Sequence, residues 1–174
     1  TIDFHFYNGL TADFLEDLKN QKYDFTFCSR MDQEPLIDFI PVARQELVVI
    51  VPPDHPLSDR TEIRLCETLD YPQILFSRRS GLRPMIDKLF LACGKQPDCI
   101  FEIDEDQTIA GFVANGFGIA VVPNMPILAS MHLKVIHITE ATWERRFYIA
   151  YLKNRYRTPL AEQFLSYVKS HALI

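Results

Sequence analysis

Apolar positions recur along this chain with two periods that take turns. Ile2, Phe4 and Phe6 alternate with Asp3, His5 and Tyr7, which predicts a strand. Asn8-Gly9 breaks it. Leu10, Phe14, Leu15 and Leu18 then share one helical face, with Thr11 or Asn8 as the expected N-cap. Residues 24–28 read as a short buried strand, and residues 47–51 (Leu-Val-Val-Ile-Val) as a stronger one stopped by Pro52-Pro53. A loop with a short helix at 62–68 leads to a strand at 73–76. A helix to Cys93 follows, with Leu82, Ile86, Leu89 and Cys93 as its stripe, Pro84 in its first turn and Gly94 as its stop.

Residues 99–103 predict a strand with alternating burial. Asp104 or Asp106 is the expected cap of a helix over 107–114, closed by Asn115-Gly116. The near-continuous apolar run 117–122 suits a parallel strand covered on both faces. A short helix at 126–131, strands at 133–138 and 146–152, and a helix from Thr158-Pro159 burying Leu160, Phe164, Leu165 and Val168 complete the chain. The alternation predicts an α/β fold with mainly parallel sheets and helices on both faces.

Composition narrows the partners. The 174 residues are 48% hydrophobic and 24% charged, an ordinary globular balance, and the net charge is -5. An acidic chain offers no footprint for phosphate backbones. The longest apolar runs are too short to span a bilayer, and no basic-then-apolar leader opens the chain, so no membrane partner is expected. Cys28, Cys66, Cys93 and Cys99 form no C-x-x-C and lie among apolar neighbours. They read as mostly reduced core thiols, which favours the cytoplasm.

The local motifs carry little chemistry. The glycines of 115–123 follow a helix and precede a strand, the reverse of the dinucleotide-binding order. Asp104-Glu105-Asp106 reads as a solvated helix start rather than a metal cluster. His132 and His137 lack the i, i+4 spacing of a helical metal site, and no cofactor is implied. Cys93 and Cys99 read as packed thiols rather than a redox switch. The stretch Ser77-Arg78-Arg79-Ser80-Gly81 stands out. Two hydroxyls and two guanidiniums lie between a strand and a helix N-terminus, where free N–H groups favour an anion or polar ligand.

Several segments together resemble a known family: Leu-Val-Val-Ile-Val-Pro-Pro-Asp-His-Pro-Leu at 47–57, Gly-Phe-Gly-Ile-Ala-Val-Val-Pro at 116–123, Tyr-Asp-Phe-Thr-Phe at 23–27, and the closing helix with Pro159, Phe164, Leu165 and Val168. In this order they resemble the effector-binding domain of LysR-type transcriptional regulators. The resemblance implies a two-lobed fold like the type 2 periplasmic binding proteins. One lobe would be residues 1–44 plus 147–174 and the other 45–146, with 47–51 and 147–152 as crossing hinge strands. It implies a small, possibly anionic effector in the cleft, bound at Asn8, Gly9, Thr11, Cys28, Ser29, Ser77, Arg78, Arg79, Ser80, Gly81, Asp106, Gln107 and Thr108. In this family a winged helix-turn-helix preceding the domain binds DNA, so DNA contact is expected only through that segment. Full-length members form homodimers or tetramers, pairing residues 2–18 with 82–93 of the mate. The family's domain also begins one strand and helix earlier, which predicts a gap in the first lobe's sheet and either distortion or a foreign strand filling it.

Two other functions fit the same fold. An enzyme would have to build on Cys28, Glu105 and Asp106, the groups here able to act as nucleophile or acid–base pair. An extracellular solute-binding protein is disfavoured by four scattered cysteines.

Overall fold

The computed structural model describes residues 5–140 and 144–173, the side chain of Glu144 excepted. Residues 2–4 of the predicted first strand lie outside them, and His5, Phe6 and Tyr7 are not in a strand. The elements are α1 (Thr11–Lys19), β1 (Thr26–Cys28), β2 (Ile37–Val51), β3 (Glu62–Ile63), β4 (Gln73–Phe76), α2 (Arg83–Ala92), β5 (Cys99–Ile103), α3 (Asp106–Ala114), β6 (Ala120–Pro123), β7 (Lys134–Ile138), β8 (Glu144–Leu152) and α4 (Pro159–Ser170). Short 3-10 helices occupy Leu65–Asp70 and Pro126–Ser130.

One strand organises the molecule. β2 is 15 residues long, and the predicted 47–51 segment is only its buried end. Its first part was hidden in the sequence by Pro41 and by the charged Arg44 and Glu46. The ladder accommodates the proline with a register irregularity between Pro41 and Ala43. Over Ile37–Glu46 β2 pairs with β8, and over 47–51 it pairs with β6 and β7. β2 therefore links the β8 ladder to the β6 and β7 ladders, and β2 and β8 are the crossing strands; the expected hinge is corrected in its register, because 147–152 lie beside 37–43 and not beside 47–51.

The expectation of mainly parallel sheets fails. Among the described pairings, β1–β8, β2–β6, β2–β7 and β2–β8 are antiparallel, and only β3–β7 and β4–β5 are parallel. A buried apolar run has the same composition in either direction, so burial alone could not give strand polarity. The 117–122 run shows this: β6 is antiparallel to β2, while Ile119 bridges Gln73 in parallel. At Gly118 a Cβ would meet Pro72 O at 3.0 Å, so glycine is what permits that close approach.

Three apolar clusters hold the fold. The largest runs from Leu47 to Ile136 and packs β2, β4 and β6 against α2 and α3. Leu15, Leu18, Cys28, Ile37 and Ala150 form a second, and Val42, Ile149, Tyr151 and Leu165 a third under α4. Leu160, expected in that core, is exposed. β5 is an edge strand exposed over residues 99–102 rather than alternately buried.

The caps also differ from expectation. Leu10 and Glu105 hold the N-cap positions of α1 and α3 with no side-chain cap bond, whereas Thr158 caps α4 by accepting from Ala161 N. Cys66 and Cys93 form a disulfide, while Cys28 and Cys99 are free. The reading of mostly reduced thiols therefore fails for this pair. The 3-10 helix at Leu65–Asp70 packs on the end of α2 and brings the two Cα atoms to 5.3 Å, a separation that sequence spacing cannot show. None of the four helices is long and apolar enough to cross a membrane, among the described residues.

Candidate functional site

A cleft of about 660 Å³ opens beside the crossing strands. That is the size of a small-molecule site. Its wall takes Asn8, Gly9 and Thr11 from the start of α1, Cys28 from the end of β1, Ser80 from the loop after β4, and Asp106 and Gln107 from the start of α3. These seven were predicted from the sequence. Cys28 ends a strand, Ser80 follows one, Thr11, Asp106 and Gln107 open helices, and Asn8 and Gly9 lie in the segment leading into α1, so the side chains meet at the rim of the sheets.

The other six lie off the wall. Ser29 is buried just behind it and accepts a hydrogen bond from Arg145 Nε at 3.3 Å. Ser77 is spent inside its own turn, where its Oγ accepts from Arg79 N at 3.3 Å. Arg78 is exposed, and so is Thr108. Arg79 leaves the cleft to bond Asp13 of α1, with oxygens at 2.6 and 2.8 Å. Gly81 is the contact point between the two sides: a Cβ there would lie 2.9 Å from both Ser29 Cβ and Thr11 Oγ1.

The loop itself is held from behind. Arg83 is buried and donates from Nη1 to Phe76 O at 2.6 Å and to Glu102 Oε1 at 2.7 Å, while its Nε donates to Asp87 Oδ1 at 2.7 Å. This fixes the end of β4 and so the place of Ser80 on the wall. Ser80 Oγ accepts from Leu82 N at 3.2 Å, which leaves its O–H to face the cleft.

Sequence reasoning missed Arg145. It lies on β8 opposite Gln45 of β2, at the crossing of the two strands, and lines the cleft with Phe147. The signal was present: residues 145, 147 and 149 alternate on one face of a strand. The reading began that strand at 146 and so passed over it.

Cys28 is a poor nucleophile. Burial pushes its thiol up to about 12, against a smaller downward pull from Arg145. Alkylation by iodoacetamide at pH 8 will modify exposed Cys99 in the folded domain and leave Cys28 unmodified, as mass spectrometry will read. The same shift fixes a pH dependence. An unfolded thiol loses its proton near 9, whereas the folded one holds it to about 12, so this group's contribution to stability falls as pH rises through that window. His137 Nδ1 lies 2.7 Å from Glu46 Oε1, and among the described residues no group of three or more metal-binding side chains occurs.

A two-lobed fold with polar groups meeting at crossing strands defines a ligand-binding domain of the periplasmic-binding-protein type. The chain belongs to the LysR substrate binding domain family, whose model matches residues 1–173. It is 37% identical over 157 residues to an uncharacterized HTH-type transcriptional regulator, YybE of Bacillus subtilis, covering 90% of this chain and 54% of that protein. The chain thus spans about half the length of the curated relatives it matches. The effector binding domain of QuiR in complex with shikimate superposes with a TM-score of 0.93 at 41% identity, over 98% of this chain and 83% of that one. The regulatory domain of Synechocystis CcmR, in complex with 2-PG, gives a TM-score of 0.82 at 23% identity over 94% of this chain and 80% of that one, a likeness of fold.

Proposed function

We propose that this chain is the sensing domain of a LysR-type regulator and that a small hydroxylated molecule of the shikimate kind occupies its cleft. The observation that carries the reading is the convergence of Thr11, Ser80, Asp106 and Gln107, from three separate segments, on one cavity at the crossing strands. A lobe division of 1–44 plus 147–174 against 45–146 is supported by the separation of the apolar clusters along the same lines. A ligand touching both lobes favours their closed arrangement by its differential affinity for it. In the whole protein this would reorient DNA-binding heads outside the domain, a coupling between two sites. The whole protein would act in the cytoplasm as a homodimer or tetramer, pairing residues 2–18 with 82–93 of the mate. Catalysis is disfavoured, because Cys28 stays protonated in the cleft.

Shikimate is the first probe, since a relative 41% identical is seen with it. Thermal unfolding and titration calorimetry with shikimate, then with related hydroxy acids, amino acids and sugars, test the reading. A ligand at one hundred times its dissociation constant will add about 2.7 kcal/mol of stability. Thr11→Val will remove most of that gain. No shift with any compound of the panel would sink the proposal.

A further inference from the structure

We infer that Arg145 is the anion anchor of the cleft and that it restricts the effector to acids, with a carboxylate seated against its guanidinium. The inference rests on the reading of the cleft as the effector site and names the chemistry of that site. Arg145 has one hydrogen-bond partner among the described residues, Ser29 Oγ, which takes Nε. Among the described residues neither Nη group has a partner and no carboxylate lies within ion-pairing distance of the guanidinium. The guanidinium carbon sits 3.9 Å from the centroid of the Phe147 ring, so one face of the fork is covered and its direction is fixed.

The neighbourhood leaves the charge short of a counter-ion. Burial pulls the Arg145 pKa down, with Asp106 and Cys28 opposing. Cys28 supplies no charge at neutral pH, because its thiol remains protonated. Asp106 acts only from across the cleft. A half-buried cation with an open planar fork is the group that receives a carboxylate with two parallel bonds. The two arginines to which the sequence pointed do not serve: Arg79 is paired with Asp13, and Arg78 lies off the wall. With the carboxylate at Arg145, the hydroxyls of Thr11 and Ser80 and the oxygens of Asp106 remain for hydroxyl groups on the rest of the ligand.

The test titrates the hydroxy acid used above, and its uncharged methyl ester, into the domain and into the Arg145→Gln and Arg145→Lys variants. The unaltered domain will prefer the acid by about tenfold to a hundredfold. Arg145→Gln will bind acid and ester alike, and Arg145→Lys will keep part of the preference, each with an unfolding midpoint showing that the domain is folded. Thr11→Val will weaken acid and ester by the same factor, because it touches neither the charge nor its partner. If Arg145→Gln still prefers the acid while Thr11→Val weakens both ligands, the anchor is elsewhere and the cleft reading stands. If neither ligand binds, or Thr11→Val changes nothing, the cleft reading fails and this inference with it.

Discussion

Replacing Gly81 by valine will weaken effector binding by about tenfold or more and lower the stability of the domain by about 1–3 kcal/mol. The cause is steric. A single Cβ at position 81 would already sit 2.9 Å from Ser29 Cβ and from Thr11 Oγ1, and 3.1 Å from Thr11 Cβ. Both neighbours are short side chains tied closely to their backbones, so neither can swing away. The backbone segments must separate instead: the loop after β4 from the end of β1 and the start of α1. That gap opens where the two sides of the cleft meet, so ligand groups reaching Thr11 and Ser80 can no longer be satisfied together. The Arg79–Asp13 pair spans the same junction but cannot compensate. Both side chains are more than half exposed, and such pairs contribute about 0–1 kcal/mol. Gly81→Ala will show the same effect to a smaller degree, and adding Thr11→Ala to it will recover part of the lost stability. Titration calorimetry and chemical denaturation read both quantities. Binding unchanged in Gly81→Val would show that the two sides do not need this closeness.

Phe90→Ala will cost about 3–5 kcal/mol, the largest loss of stability we expect from one substitution. Phe90 is fully buried on α2, in the cluster that packs that helix on β4. Removing the ring forfeits its burial and leaves a cavity that rigid strands on one side cannot close. Native stabilities are about 5–15 kcal/mol, so a large part of the total is at stake. The unfolding midpoint will fall by roughly 6–20 °C. Tyr156→Ala supplies the contrast: its ring is 81% exposed, and the change will stay within about 0.5 kcal/mol. A loss below about 1 kcal/mol in Phe90→Ala would mean that α2 repacks freely, which would also undermine the fixed position of the loop that Arg83 holds.

The sequence by itself determined the parts whose signal is local. The 73–76 strand coincides with β4, the helix stops at Gly94 and Gly116 fall where α2 and α3 end, and Thr158 caps α4. Periodicity and turn chemistry act over a few residues, so they can be read from a few residues. Seven of the residues that the family resemblance implied line the cleft, and most of them stand at strand ends or open helices, where side chains reach the rim of the sheets. Tertiary structure alone decided what depends on pairing between distant segments. It set the polarity of the sheets, because an apolar run is the same composition in either direction. It joined Cys66 to Cys93, because contact between a 3-10 helix and the end of α2 has no trace in spacing. It turned Arg79 away to Asp13 and brought Arg145 into the cleft, because where a long charged side chain points is settled by the charges and rings it meets after folding.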